Sequence, residues 1–218
     1  MGFGGGPGDG TALDVRTAIL FEILALVGGA SQTSHDGDAS AVQPAAFAII
    51  SVAPCEDSPV IFYDRRGDVV TPDKNSIIKP RRGVFALAVA IEDRAIMLSA
   101  EACAPDVPEL PGGGIEAGES LDQAVAREWS EEVGTAFNVK GPLQRFQQVR
   151  GFYADDRREF WIYDQTFLLY HFLERVTVGA KWPNPEGGIA GWEAIHALPR
   201  LTINRAHWCA IPTLLAIS

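Results

Sequence analysis

The sequence is poor in cysteine, and its cysteines lack the spacing that gives them a structural role. Only 3 cysteines occur among 218 residues, and they are far apart, odd in number and without a CxxC pair. This pattern excludes a disulfide framework and a zinc cluster as the basis of the fold. It is typical of a reducing compartment, so we expect a cytoplasmic protein.

Positive charge is also in short supply. The chain has 18 lysines and arginines against 28 aspartates and glutamates, a formal net charge of -10. At long range such a protein repels phosphate backbones and anionic membranes. We therefore expect no nucleic-acid partner and no membrane partner, and a phosphorylated substrate would need a local cation.

No hydrophobic run is long enough to span a bilayer. The most apolar early stretch, Ala18 to Ala30, is too short and contains Glu22. Its helical spacing of apolar residues predicts an amphipathic helix, which would dock on the body of the protein or on a second subunit. A homodimer is therefore possible, and membrane contact is the lesser alternative.

The four histidines do not form part of a recognisable nucleophilic site. They are scattered along the chain, and no serine or cysteine stands in a nucleophile turn. We expect them to have structural, hydrogen-bonded or exposed roles. The histidines are His35, His171, His196 and His207.

What the sequence does contain is the composition of a globular protein, with 47% hydrophobic residues. We predict a tail with a helix and a linker over residues 1–44 and one mixed α/β domain over 45–218, in which 45–80 add extra strands. Apolar, β-branched and aromatic runs predict strands before and after a single short helix. A terminal helix should begin at the N-cap Asn204 and be kinked or interrupted by Pro212.

The short helix in the middle of the domain is predicted from Ser120 to Val133. Ser120 and Gln123 have the spacing of a capping box, and Gly134 is a natural C-terminal stop. At about 100° per residue, one side of this helix is apolar. The apolar stripe comprises Leu121, Val125, Trp129 and Val133.

Three carboxylates converge beside that apolar stripe. Glu128 and Glu132 lie at its edge and Glu131 lies further round. Like charges at this spacing repel each other, so a compensating cation is expected. Mg²⁺ or Mn²⁺ suits carboxylate oxygens and substrate phosphates, and Arg127 could orient a carboxylate by a charge-assisted hydrogen bond. The alternative is a merely solvated acidic face.

The residues from Gly113 to Thr135 resemble the Nudix box, G-x5-E-x7-R-E-U-x-E-E-x-G-U, in which U is a bulky apolar residue. The fixed polar and glycine positions all match. They are Gly113, Glu119, Arg127, Glu128, Glu131, Glu132 and Gly134. Two departures occur, both at U positions: Trp129 is unusually large and Thr135 is polar.

This resemblance implies an α/β/α sandwich around a mixed β-sheet, with its core from about residue 82 and an N-terminal extension. It also implies that Glu128 and Glu132 are the principal metal ligands, and that Glu131 is a ligand or activates water. Arg127 would orient them, Glu119 would assist through a second metal or a bound water, and Gly113 would contribute its backbone carbonyl.

Family members often recruit one more carboxylate from a later loop, and Glu186 is the candidate that the resemblance suggests. Three other acidic residues compete for this role, with a solvated turn as the alternative explanation of each. They are Asp155, Asp156 and Glu159.

The substrate is not specified by these motifs. Several arginines after the helix could contact phosphate, although solvated strand positions are the alternative: Arg145, Arg150, Arg157 and Arg158. Several aromatic residues could stack on a base, or else pack in the core: Phe152, Tyr153, Phe160 and Trp161. The position of Tyr153 weakly resembles that of a tyrosine in members that cleave diadenosine polyphosphates.

Together these features predict a metal-dependent enzyme, a Nudix-type pyrophosphohydrolase that cleaves a diphosphate bond in a small nucleotide derivative by attack of water on phosphorus. The alternative is a catalytically silent Nudix-fold domain that binds nucleotides for regulation. The presence of every box glutamate favours catalysis, because silent domains usually lose some of them.

Overall fold

The computed structural model describes residues 50–52 and 60–216. The predicted N-terminal tail, the amphipathic helix and most of the first predicted strand lie outside these residues. The division of the chain at residue 44 therefore stays a prediction.

Within the described residues, ten strands form one mixed sheet. Their bounds are β1 Ile50–Val52, β2 Phe62–Tyr63, β3 Val69–Val70, β4 Ile78–Ala90, β5 Ala95–Ala100, β6 Gly112–Gly114, β7 Gln144–Ala154, β8 Glu159–Phe172, β9 Lys181–Pro183 and β10 Ile189–Ala194. The main order is β3-β2-β7-β8-β4-β5-β10-β9, with β1 beside β7 and β6 beside β4. Strands β4 and β8 are parallel along 13 pairs, whereas β7 and β8 are antiparallel, so the sheet is mixed.

The helices are α1 Leu121–Glu132, a 3₁₀-helix Ile195–Arg200, α2 Arg205–Trp208 and α3 Ala210–Leu215. None of the helices among the described residues is long and apolar enough to cross a membrane. Helix α1 begins as predicted: the Ser120 hydroxyl accepts from the backbone of Gln123, and the Gln123 side chain accepts from the backbone of Ser120.

The helices lie on both faces of the sheet because β4 is apolar from Val84 to Ala90, and successive side chains of a strand point to opposite faces. Val84 and Ala86 on one side belong to the core that contains Val125 and Trp129 of α1. Phe85 on the other side belongs to the core that contains α3. This arrangement confirms the predicted α/β/α sandwich around a mixed sheet.

The terminal helix is interrupted, as predicted, but three residues before the proline. Helix α2 ends at its C-cap Cys209, and α3 begins at Ala210. Pro212 then falls in the first turn of α3, where no intrahelical N–H is required. The predicted N-cap at Asn204 is present, with its side chain accepting from the backbone of Ala206 at 3.0 Å.

Two further strands follow β8. The segment carries β9 and β10, and β10 pairs antiparallel with β5 from Ile189 to Ala194. Strand β9 has only 3 residues and ends in a proline, and β10 contains a glycine, so neither has the sequence pattern of a regular strand. The glycine run Gly112 to Gly114 is likewise a strand, β6, which pairs with β4.

Candidate active site

A cleft of about 240 Å³ opens between α1, β6, β8 and the loops that follow β5 and β9. Its most prominent feature is acidity, because six glutamates line it. They are Glu101, Glu109, Glu128, Glu131, Glu132 and Glu186. Four of the six, Glu128, Glu131, Glu132 and Glu186, were predicted as site residues. The structure places these four in a single cavity.

Arg127 holds the acidic residues of the box together. Its guanidinium donates to Glu119 through Nε at 3.0 Å, and through Nη1 to Glu128 at 2.8 Å and Glu131 at 2.9 Å. Nη2 donates to the Gly114 carbonyl at 2.7 Å. Charge-assisted bonds of this kind fix carboxylate orientation, and the bond from Arg127 holds the pKa of Glu119 below its usual range.

Glu132 is held by neutral donors instead. Its Oε2 accepts from the backbone N–H of Gly112 at 3.0 Å and from the Ser99 hydroxyl at 2.9 Å. The side chain is buried, and desolvation, followed by the charge of Glu109, raises the pKa of Glu132. Glu132 is therefore a buried carboxyl group without a cationic partner among residues 60–216. A bound cation would stabilise its charged form.

Glu128 explains why the box needs glycine at position 113. A Cβ on Gly113 would lie only 2.6 Å from one carboxylate oxygen of Glu128. Only a residue without a side chain lets this buried carboxylate lie against the loop. Burial raises the pKa of Glu128, and the hydrogen bond from Arg127 opposes that rise.

Glu131 and Glu186 form the more accessible part of the cleft. The side chain of Glu131 is 43% exposed, although it is bonded to Arg127. Burial and then the charge of Glu131 raise the pKa of Glu186, which places the two carboxylates within electrostatic range of each other.

The competing acidic residues have other partners. Asp155 and Asp156 accept from the Arg65 guanidinium at 2.9 and 3.4 Å, and Asp156 reaches the cleft wall. Glu159 pairs with Lys79 at 2.6 Å and does not line the cleft. Of the later carboxylates, Glu186 is thus the one that lies in the cleft without an ion pair among residues 60–216.

Several cleft residues were not predicted from the sequence. Arg65 is buried and bonds to Glu101 at 2.9 Å. Glu109 is buried too and accepts from the Asn204 amide at 2.7 Å. Burial, followed by the charge of Glu101, raises the pKa of Glu109 to about 7. Its position just before the glycine run was the only available signal.

His207 has the structural role expected for the histidines. Its Nδ1 accepts from the backbone N–H of Leu110 at 3.2 Å, and the ring packs on Phe85 at 4.2 Å between centroids. Burial lowers the pKa of His207 to about 3. The ring is therefore neutral at physiological pH.

The predicted arginines and aromatics divide into two groups. Arg157, Phe152 and Trp161 line the cleft. The others lie outside its walls: Arg145, Arg150, Arg158, Tyr153 and Phe160. Tyr153 packs against Phe160 at 4.8 Å between ring centroids, so its apolar interpretation fits the structure.

The two departures from the box compensate each other. The indole Nε1 of Trp129 donates to the Thr135 hydroxyl at 2.9 Å. The Trp129 ring also stacks on Phe172 at 5.3 Å between centroids. A polar residue at position 135 thus satisfies the buried N–H that tryptophan brings to position 129.

The donor chemistry of the cleft fits a hard divalent cation. Among residues 60–216, no three carboxylate, imidazole or thiol groups form a ready-made metal cage. Arg127 and the neutral donors occupy one oxygen each of Glu128, Glu131 and Glu132. Each carboxylate has a second oxygen, and buried carboxylates with a backbone carbonyl nearby are the oxygen ligands that Mg²⁺ takes.

The sequence matches the family model of the NUDIX domain over residues 79–214, which is more than half of the chain. The chain therefore belongs to the NUDIX family, as the box predicted, and it is an enzyme of the Nudix hydrolase type. No curated protein sequence matches the chain significantly.

Solved structures show partial likeness. A MutT NUDIX hydrolase from Burkholderia pseudomallei is 26% identical over 61% of this chain and 95% of its own, with a TM-score of 0.41. An ADP-ribose pyrophosphatase from Streptococcus suis is 22% identical over 64% and 93%, with a TM-score of 0.41. A dihydroneopterin triphosphate pyrophosphohydrolase from E. coli is 16% identical over 63% and 96%, with a TM-score of 0.45. These scores are too low to indicate a substrate, so the family assignment depends on the family match and the box.

Proposed function

We propose that this protein is a divalent-metal-dependent hydrolase that cleaves a diphosphate bond in a small nucleotide derivative, with water attacking phosphorus. The observation that carries the proposal is the convergence of Glu128, Glu131 and Glu132 on one cleft, with Arg127 bonded to two of them. A solvated acidic face would need neither the burial nor this bonding.

Within this proposal, Glu128, Glu132, Glu131 and the Gly113 carbonyl hold Mg²⁺ or Mn²⁺. A bound cation of this kind lowers the pKa of water and neutralises charge that gathers on phosphate oxygens. The protein residues have distinct further tasks. Arg127 keeps the carboxylates of Glu128 and Glu131 oriented, and Glu119 fixes Arg127 from the other side.

The water proton needs an acceptor with access to the cleft. Glu131 is the most exposed of the three α1 carboxylates, so its second oxygen can reach a water in the cavity. Glu186 stands within electrostatic range of Glu131 and is the further carboxylate that could share this task. Glu132 is unsuited to it because both Ser99 and Gly112 already fix its position.

The test is phosphate release from a panel of substrates, with and without Mg²⁺. The panel contains nucleoside triphosphates, ADP-ribose, dinucleoside polyphosphates and nucleotide sugars. We expect at least one to be hydrolysed only with the metal. A Glu132→Gln variant should lose at least ~100-fold of that activity, because outer partners of metal ligands already cost 10- to 100-fold.

The matched control is Glu116→Gln, which removes an exposed glutamate from the loop before α1. Circular dichroism should show an unchanged fold for both variants. Full activity in Glu132→Gln would contradict the assignment of Glu132 as a metal ligand. Binding of nucleotides without any turnover would instead favour the silent regulatory domain.

The remaining expectations belong to the same proposal. The acidic balance of the chain disfavours a nucleic-acid or membrane partner. A cytoplasmic location and a possible homodimer follow from the cysteine usage and the apolar N-terminal stretch. Gel filtration at several protein concentrations tests the dimer.

A further inference from the structure

Arg81 reaches the cleft from the sheet, whereas three of the carboxylates that line it come from α1. It lies on β4, where it pairs in register with Tyr163 of β8, and Lys79 pairs with Trp161. Its guanidinium carbon is 4.1 Å from the centroid of the Trp161 ring and 5.9 Å from that of Tyr163. Arg81, Trp161 and Tyr163 all line the cleft.

Arg81 differs from the other cleft arginines in its partners. Arg65 and Arg127 each bond to three carboxylates, and Arg157 pairs with Asp156 at 3.5 Å. Among residues 60–216, no carboxylate forms an ion pair with Arg81. Its guanidinium therefore has no ion-pair partner among these residues, although six glutamates line the same cleft.

The guanidinium is also held in place. The Trp161 ring lies against it, and a Cβ on Gly114 would come within 2.9 Å of Nη2, so the guanidinium packs against the backbone of β6. Its Nε is buried and has no hydrogen-bond partner. An arginine fixed by stacking but without an anion is typical of a recognition site for phosphate or carboxylate.

We propose that Arg81, stacked on Trp161, is a phosphate subsite that binds the oxyanions of the substrate diphosphate from the sheet side of the cleft. The inference rests on the proposed function, because it takes the substrate to be a diphosphate. The excess of carboxylates would repel that substrate, and Arg81 offers it a planar pair of donors. This is the local cation that an acidic protein needs for a phosphorylated ligand.

The adjacent arginine provides a matched control. Arg82 follows Arg81 on β4 but points to the other face and is exposed. Arg81→Gln should raise KM about 10- to 100-fold for the substrate found in the panel, the size expected for lost charge-assisted bonds. Arg82→Gln should leave KM within about twofold. Arg81→Lys should recover only part of the loss, because lysine lacks the planar fork.

A binding experiment that needs no turnover separates this inference from the proposed function. The probe is imidodiphosphate, in which nitrogen replaces the bridging oxygen, titrated in the presence of Mg²⁺. Tryptophan fluorescence should change on binding, since the Arg81 guanidinium lies on Trp161, and Trp161→Phe should remove most of the change. Arg81→Gln should weaken binding about 10-fold or more.

The outcomes are distinct. If the wild type turns over a diphosphate but Arg81→Gln, folded by circular dichroism, has unchanged KM and probe affinity, the subsite is wrong while the proposed function stands. If no substrate is hydrolysed but the probe binds through Arg81, the subsite stands and the hydrolase proposal fails. If the wild type does not bind the probe at all, the subsite is overturned.

Discussion

Two arginines in this protein each gather three carboxylates, but they do so in different ways. Arg127 bonds to Glu119, Glu128 and Glu131, which lie within eight positions of it in the sequence. Arg65 bonds to Glu101, Asp155 and Asp156, which lie 36 to 91 positions away. The side chain of Arg127 is 26% exposed and that of Arg65 only 6%.

The positions of their partners in the sequence suggest different roles for the two arginines. The partners of Arg127 come from one helix and its preceding loop, so they can be arranged without the rest of the fold. The partners of Arg65 come from the loop after β5 and the turn between β7 and β8, so this arginine ties the β2–β3 turn to the wall of the cleft. We infer that Arg127 serves the chemistry and that Arg65 mainly serves stability.

The largest expected effect is on activity. Arg127→Ala should raise the Mg²⁺ concentration needed for half-maximal activity about 10- to 100-fold, because Glu128 and Glu131 lose the bond that orients them. The measurement is phosphate release across a Mg²⁺ titration. Arg175→Ala, which removes an exposed arginine paired with Asp93, is the control and should change nothing. An unchanged Mg²⁺ requirement in Arg127→Ala would contradict the inference that Arg127 serves the chemistry of the site.

The next effect is on stability. Arg65→Met should lower the free energy of unfolding by about 1–2 kcal/mol, less than a fully buried pair would lose because its three carboxylates are partly solvated. Urea denaturation measures this change. The neighbouring Arg66→Met breaks an exposed pair with Asp106 and should have no measurable effect. Equal losses in the two variants would contradict the special role of the buried arginine.

The smallest effect is a shift in pH dependence. Glu109 has a folded pKa of about 7 against a usual 4.5. The folded protein therefore keeps a proton that the unfolded chain releases. Stability contributed by this group is complete below about pH 4.5 and is lost as the pH rises towards about 7. Since Arg65 lowers the pKa of Glu109, Arg65→Met should move the upper end of this loss to higher pH, by less than about one unit.

Urea denaturation at a series of pH values in EDTA would measure this shift, and Glu109→Gln should flatten the dependence in both backgrounds. A pH profile in Arg65→Met that superimposes on that of the wild type would show that Arg65 does not act on Glu109.

Much of the fold was predictable because it depends on local sequence. The capping box predicted the start of α1 at Ser120, and the apolar run in β4 predicted a strand. What could not be predicted were the elements that tertiary pairing imposes on weak sequence. Strand β6 consists of glycines, and it is a strand only because β4 supplies the partners for its backbone.

The candidate site also contains residues that local sequence predicts and residues that it does not. Arg127 and the box glutamates have fixed offsets, so their convergence could be predicted from helical geometry. Arg65 and Asn204 line the cleft, and Ser99 bonds to Glu132, only because distant strands have paired. Their residue types are common on protein surfaces. Arg81 was missed because the arginines after the helix were considered, whereas the sheet brings one from before it.

The pairing of β4 with β8 has a consequence for how this protein can evolve. Arg81 and Phe85 occupy the same face of β4, while Val84 and Ala86 face α1. A one-residue insertion before Val84 would turn Arg81 away from the cleft without disturbing the apolar core beyond it. Binding of substrate could thus be lost or retargeted by a change in spacing alone, while every residue of the catalytic box remained intact.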